Sequence, residues 1–440
     1  MPREIDWKLE PIESVCFGIY DGPHATPKPS SEGAIFLGIG NITEDGRLDL
    51  VEKRLISEEE FPKWTKRVLP RKDDIVFTYE ATLNRYAIIP EGFRGCLGRR
   101  LALIRPNPHK IDTRFLFYYF FSDEWRKTIS SNIISGSTVD RIPIISFPKF
   151  PVRVPPLPIQ KKIAGILSAY DDLIENNTRR IAILEEMARM LYQEWFVNFR
   201  FPGHEDVKMV ESPLGMIPEG WKVKKLGDVV ELAYGKALKA DDRIAGDVPV
   251  YGSGGIVGFH NEKLVDGPGI IVGRKGNVGS VFLSDLGFYP IDTVFFVCSE
   301  ISLYYVYYNL LRQNFINNDA AVPGLNRHQA YSLPFLLPND MLRKKFEDYT
   351  KAIFRTKANL TSRNANLRRT RDLLLPRLIS GEIDVSSWVE NEPVEEMGAD
   401  KGGDLVMAAV GAKVARVEPS GEAVRPIDAK SLTWHSLWDE

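Results

Sequence analysis

The chain has 440 residues, a hydrophobic fraction of 44% and a formal net charge of −2. That is ample apolar material for about two to three domains, and no apolar run nears the ~20 residues a membrane helix needs. The charge argues against a chain that grips nucleic acid by overall basicity alone, and leaves open a reader of DNA whose positive charge is local or comes from partners. Cys16, Cys96 and Cys298 stand apart without CxxC spacing, which speaks against a disulfide framework or a cysteine zinc site and for a reducing cytoplasm. Met1-Pro2-Arg3-Glu4 opens no hydrophobic signal core, so secretion is not expected.

Residues 1–155 mix short β-type runs with Gly/Pro turns: Ala34–Ile39, Asp74–Tyr79 and Leu101–Ile104, with a helix predicted over Thr113–Ser130. Pro148, Pro151, Pro155, Pro156 and Pro158 then disfavour helix until the last of them, which suits a first helical turn. A long helix follows over 156–200. A loop over 201–220, carrying Pro213, Gly215, Pro218 and Gly220, leads to a second mixed globule at 221–337. Its predicted strands are Gly269–Gly273, Ser280–Leu283 and Thr293–Cys298, and its late helix is Ser302–Phe315. Pro334 and Pro338 close it, and a second long helix runs over 338–385. The remainder, 386–440, has weak periodicity and many acids (Glu390, Glu392, Glu395, Glu396, Asp400, Asp404), so an acidic, flexible tail is expected.

The two long helices are in-phase copies. Laying Lys161-Lys162 on Lys344-Lys345 makes their heptads coincide. In the first, Ile163, Leu167, Tyr170, Ile174, Asn177, Ile181, Leu184, Ala188, Leu191 and Trp195 recur with 4-3 spacing. In the second, Ile353, Leu360, Leu367 and Leu374 match Tyr170, Asn177, Leu184 and Leu191. Such a seam marks helices that pack along their length against another helix. Asn177 on that seam either fixes register or faces a water-filled gap, and Trp195 reads as a packing knob. The other half of the second seam is polar (Thr350, Lys357, Asn364, Arg371), so that face is expected to be exposed or turned to a partner.

The globules repeat too. Asp6-Trp7-Lys8-Leu9 answers Gly220-Trp221-Lys222-Val223, and Gly136-Ser137-Thr138-Val139-Asp140-Arg141 answers Pro323-Gly324-Leu325-Asn326-Arg327. Neither contains a cofactor or catalytic motif. The Asn/Asp-Pro-Pro-aromatic tetrad of amino-methyltransferases and the GxxxxGK[ST] loop are missing, and the six histidines lack paired ligand spacing. Gly252-Ser253-Gly254-Gly255 and Gly273-Arg274-Lys275-Gly276-Asn277-Val278-Gly279 are glycine-rich without dinucleotide spacing. Glycine there permits tight turns and close approach to a ligand. Arg274 and Lys275 add cations of the kind that read guanine edges and anchor phosphates, although a solvated hairpin tip is the plainer reading. Tyr251, Ser253, Arg99 and Arg100 are individually more readily packing or surface residues than base contacts.

Taken as a set, several segments resemble the DNA specificity subunit of type I restriction–modification systems. They are Leu157-Pro158-Ile159-Gln160-Lys161-Lys162-Ile163, Trp195-Phe196-Val197-Asn198-Phe199, the turn Ser212 to Trp221, the glycine-rich elements Val250 to Gly258 and Val272 to Gly279, and Thr370 to Ile383. The resemblance spans roughly residues 1–385. It implies an α+β fold with two mixed α/β target-recognition domains, separated by two long antiparallel coiled-coil-like helices in a pseudo-twofold internal repeat. It also implies a non-catalytic subunit that reads a bipartite asymmetric double-stranded DNA site. The helices would dock two methyltransferase subunits carrying S-adenosylmethionine, and up to two motor-nuclease subunits using ATP and Mg would join. No cofactor is expected in this chain. Candidate DNA contacts are Arg99, Arg100, Ser137, Thr138, Arg141, Tyr251, Ser253, Arg274, Lys275, Asn326 and Arg327. A helix of about 40 residues is roughly 60 Å long, enough to hold two readers on half-sites about 34 Å apart. Two other readings stay open: a self-sufficient adenine methyltransferase or nuclease, and a helical adaptor that does not bind DNA.

Overall fold

The computed structural model describes residues 7–136, 139–315 and 324–386; the acidic segment after Ser386 and the pair Ser137-Thr138 lie outside them. The fold is α+β, two mixed globules and two long helices in a repeated order. Leu157–Tyr192 is one uninterrupted α-helix, continued by a wider turn at Gln193–Val197. Asp340–Ile379 is the other. None of the described helices is long and apolar enough to cross a membrane. The chain divides into two compact units, and the division falls inside both long helices, at Glu175/Asn176 and Asn364/Ala365.

In the first unit the globule is built on a four-stranded antiparallel sheet in the spatial order Cys16–Asp21, Leu101–Pro106, Ile75–Thr78, Tyr86–Ile88. Ile75–Thr78 is wholly buried, as expected for a short apolar run covered on both faces. A three-stranded sheet (Arg54–Ile56, Ala34–Leu37, Gly95–Leu97) includes one parallel pair. The outermost strands, Lys8–Pro11 and Pro151–Val154, pair antiparallel and close the globule. The predicted helix over Thr113–Ser130 is two helices, Thr113–Tyr119 and Asp123–Ser130. The break comes where the Ser122 hydroxyl accepts from the Trp125 amide and caps the second.

The second unit repeats this frame strand for strand: Glu231–Tyr234, Val294–Cys298, Gly269–Gly273, Val281–Ser284 in one sheet, and Gly255–His260, Val248–Gly252, Tyr289–Pro290 in the other. Lys222–Lys225 and Pro334–Leu337 close it. The segment 201–220, expected as a loop, contains a hairpin of Met209–Ser212 and Gly215–Pro218.

Each globule shares its core with its own portion of the helices. Ile163, Leu167, Leu378 and Ile379 join Phe77, Phe115 and Trp125 in the first. Ala188, Trp195, Phe346 and Phe354 join Tyr305 and Phe335 in the second. Along the seam Tyr170, Ile174, Asn177 and Leu360 are buried, and Ile181, Leu184, Leu191, Ile353, Leu367 and Leu374 are half-buried. The helices are antiparallel within each unit: Asn177 meets Asn364 and Glu185 meets Lys357 in one, while Asp171 meets Arg371 and Lys162 meets Val385 in the other.

The polar half of the second seam is turned inward rather than outward. Thr350 is fully buried and donates to the Phe346 carbonyl at 2.8 Å. Lys357 pairs with Glu185 at 2.9 Å and Asp285 at 3.5 Å. Asn364 accepts from Asn177, and Arg371 pairs with Asp171 and Asp372. Every polar side chain on this stripe has a partner, which removes the cost of burying it unpaired.

Candidate nucleic-acid interface

In the second globule three chain segments deliver one cationic cluster. Tyr234 ends the strand Glu231–Tyr234, Arg274 follows Gly269–Gly273, and Arg327 opens the short helix Arg327–Ser332. The Tyr234 ring is half exposed, with the Arg274 guanidinium 5.3 Å and the Arg327 guanidinium 5.0 Å from its centroid. Arg274 also lies over Phe295, and Arg327 over Tyr331. Attraction to the rings fixes both guanidiniums without neutralising them. Among the described residues, Arg274, Lys275 and Arg327 have no ion-pair partner. Unneutralised cations held in place make a site for an anion, with planar donors suited to phosphate or a base edge.

The turn carrying Lys275 needs its glycines. A Cβ on Gly273 would fall 2.1 Å from the Asn277 carbonyl oxygen, and Gly276 and Gly279 have positive φ. Lys275 is exposed at its tip. Ser253 is brought against the same turn: the Asn277 amide donates to its hydroxyl at 3.4 Å and the Ser280 hydroxyl to its carbonyl at 2.6 Å. Two candidates serve the frame instead. Tyr251 is only 7% exposed, its ring packed on Phe288 and Phe282. Asn326 spends its side-chain oxygen on the His328 and Gln329 amides as a helix cap.

In the first globule Arg99 and Arg100 form the turn between Gly95–Leu97 and Leu101–Pro106. Arg99 is exposed, whereas Arg100 is half-buried and bonded to Glu80 at 3.1 Å. Arg141 is exposed on a segment whose backbone bridges Glu80 and Ile134. Ser137 and Thr138 lie outside the described residues.

Backbone bonds give the correspondence between the two globules. The Arg274 amide donates to the Thr293 carbonyl, and the Arg274 carbonyl accepts from Leu325. The Tyr79 amide donates to the Arg100 carbonyl, and the Tyr79 carbonyl accepts from Ile142. Tyr79 and Arg274 thus occupy one station, and both use it alike. The Tyr79 hydroxyl donates to the Arg99 carbonyl at 3.1 Å, and the Arg274 Nη2 to the Asp292 carbonyl at 2.6 Å. Burial pushes the Tyr79 phenol up to about 12, with Asp21 and Glu80 adding to it. Through the same ladder Arg141 corresponds to Gly324, not to Arg327, because the bridges are Glu80 to Arg141 and Lys275 to Gly324. The sequence pairing of the two arginines is therefore out of register; Arg327 sits beyond the bridge on a helix turn of its own. Tyr234 was not foreseen. The only signal for it is an aromatic at the end of a strand, just before Gly235-Lys236. Among the described residues no cluster of His, Cys, Asp and Glu could hold a metal ion.

One frame is built twice, with unlike side chains, Tyr79 and Arg274, on the same backbone station, the architecture of a two-domain chain with an internal repeat. The chain belongs to the type I restriction modification DNA specificity domain family, whose model matches residues 28–186 and 218–357, and its role is that of a specificity subunit rather than a catalytic chain. The MjaIX specificity subunit of Methanocaldococcus jannaschii is 25% identical over 370 residues, covering 76% of this chain and 82% of that one. The HindI specificity subunit of Haemophilus influenzae is 21% identical, covering 79% and 94%. The crystal structure of a type I S subunit from M. genitalium has the same fold, with a TM-score of 0.54, 18% identity, and coverage of 86% of this chain and 96% of that one.

Proposed function

We propose that the chain reads a bipartite, asymmetric double-stranded DNA site, one half with each globule, and docks two methyltransferase subunits on its long helices. Those partners would carry S-adenosylmethionine and methylate adenine. Motor-nuclease subunits, up to two, would bring ATP and Mg. The observation that carries this reading is the pair of matched stations with unlike side chains: Arg274 beside Tyr234 and Arg327 in one globule, Tyr79 beside Arg99 in the other. A shared frame with different donors suits two half-sites of different sequence, since base edges are told apart by which donors and acceptors meet them. Near-neutral overall charge fits a chain whose partners supply much of the phosphate neutralisation. The candidate contacts are Arg99, Arg141, Ser253, Arg274, Lys275 and Arg327, with Tyr234 positioning two of them.

Methylated adenines mapped genome-wide in cells carrying the chain with its methyltransferase partner should give one split motif. Exchange of residues 221–337, bounded by the paired strands Lys222–Lys225 and Pro334–Leu337, for another recognition globule should change one half only. A continuous motif would refute the two-reader model. S-adenosylmethionine bound by the isolated chain would favour a self-sufficient methyltransferase, and an exchange without effect on the motif would favour an adaptor.

A further inference from the structure

The two globules differ in one connection between matched strands. In the first, Ala34–Leu37 and Arg54–Ile56 are joined by residues 38–53. In the second, the matching strands Val248–Gly252 and Gly255–His260 are joined by Ser253 and Gly254 alone. The hairpins match because each inner strand also pairs in parallel, with Gly95–Leu97 or with Tyr289–Pro290.

The long connection is a built element. Asn41 clasps it: the side-chain oxygen accepts from the Gly38 amide at 2.8 Å, and Nδ2 donates to the carbonyls of Asp49 at 2.8 Å and Glu52 at 3.2 Å. Ile42 is fully buried, and Leu48 and Leu50 pack on the same core. Arg85 donates to the Ile42 carbonyl and pairs with Glu44. Gly46, at φ +87°, lies against Phe117 and Phe121, where a Cβ would come within 2.5 Å of a ring carbon. So many anchors hold the connection in one shape.

Between it and the Gly98–Arg100 turn lies a groove of about 760 Å³, walled by Gly38–Asn41, Asp49 and Glu52. Arg54 and Arg99 line it; both are exposed, and among the described residues neither side chain has a hydrogen bond or ion pair. Val51 stands at the rim, 89% exposed. In the second globule the two-residue turn instead packs Ser253 on Asn277 and Ser280, in the turn that follows Gly269–Gly273.

We propose that residues 38–53 are the specificity element of the first globule, and that the groove seats the edge of one DNA half-site. The proposal rests on the DNA-reading function given above. Arg54 and Arg99 supply planar donors for guanine edges or phosphates, Glu52 an acceptor for a cytosine amino group, and Val51 an apolar surface for a thymine methyl. Carboxylates on the wall disfavour a purely phosphate-gripping groove, because they would repel the backbone that free cations attract. A mixed donor, acceptor and apolar set is what base discrimination requires.

The test uses the full chain with its methyltransferase partner in cells, read by genome-wide adenine-methylation mapping. One variant replaces residues 38–53 by Ser-Gly. The second, Arg54→Ala with Arg99→Ala, removes two exposed side chains that hold no hydrogen bond or ion pair among the described residues. The arginine variant is expected to relax base positions in one half of the split motif, with roughly tenfold or greater loss of discrimination there, and to leave the other half unchanged. The loop replacement should alter the same half. Wild-type discrimination in the arginine variant would overturn the proposal. So would equal weakening of both halves, which would mark the arginines as general phosphate anchors. If the wild-type chain itself gives no split motif, the DNA-reading function fails first and this assignment falls with it.

Discussion

Asn177 donates through Nδ2 to the Oδ1 of Asn364 at 2.9 Å, within the buried seam of the two long helices. Asn364 passes the bond on to the Thr178 hydroxyl at 3.2 Å. Heptads of similar apolar residues can slide by one repeat without losing much contact, whereas an amide pair is satisfied in one register only. Asn364→Ala should therefore cost about 1–3 kcal/mol, because it strands a buried amide. Asn177→Leu combined with Asn364→Leu should recover most of that stability while weakening the choice of register. Chemical unfolding of the two variants, with cross-linking between cysteines on facing helix positions, measures both effects; a double variant as unstable as the single one would refute the register role.

The alkaline limb of stability should be steep. Burial pulls the Lys357 ammonium down, but pairing with Glu185 and Asp285 outweighs it and the group ends above its ordinary value. Tyr79 is pushed up to about 12 by burial, with Asp21 and Glu80 adding, and Tyr304 to about 12 by burial, with Asp285 and Glu347 adding. A group raised on folding stabilises fully below its unfolded value, about 10 for tyrosine and lysine, and loses that contribution as pH climbs through the folded value. Thermal midpoints should hold from pH 8 to about 10 and fall between about 10 and 12. Tyr79→Phe and Tyr304→Phe should flatten the fall; an equally steep fall in the double variant would exclude them as its source.

Tyr234 positions two arginines through its ring, and among the described residues its hydroxyl makes no hydrogen bond. Tyr234→Phe should keep wild-type recognition. Tyr234→Ala should weaken binding to the half-site read by the second globule, and Arg327→Ala should cost about 1–3 kcal/mol there and relax a base position. Fluorescence binding to duplexes altered in one half at a time separates these outcomes. A Phe variant as weak as the Ala variant would show that the hydroxyl, not the ring, matters.

The shared station of Tyr79 and Arg274 gives a sharper experiment. Arg274→Ala removes both the bond to the Asp292 carbonyl and the cation. Arg274→Tyr offers a hydroxyl in place of the guanidinium, as Tyr79 does toward Arg99. The Tyr variant should melt close to wild type yet lose recognition of its half-site, while the Ala variant loses about 1 kcal/mol of stability as well. Retained recognition in Arg274→Tyr would remove Arg274 from the interface.

The helices were legible in the sequence because their signal repeats: heptads fixed both spans to within a few residues at most ends, the first giving way to a wider turn after Tyr192. The central strands were legible as short apolar runs. The interface was only partly so. Arg274 and Arg327 stand out as arginines near glycine, but the ring between them comes from a distant strand, and periodicity carries no record of which segments meet. The polar seam was ambiguous for the same reason: Lys357 and Arg371 read as exposed or turned to a partner until Glu185, Asp285 and Asp171 are found opposite them. Tyr251 and Asn326 illustrate the converse, residue types common at interfaces but spent on a core and a cap.

Lys222–Lys225 lies beside Pro334–Leu337, as Lys8–Pro11 lies beside Pro151–Val154. The polypeptide thus enters and leaves each globule at a single closed seam, and everything between behaves as an excursion from one fixed point. A lineage could replace such an excursion by one crossover at each closing strand, leaving the helical register undisturbed. New specificity would then arise by inheritance of a whole reading surface rather than by the slow accumulation of point changes.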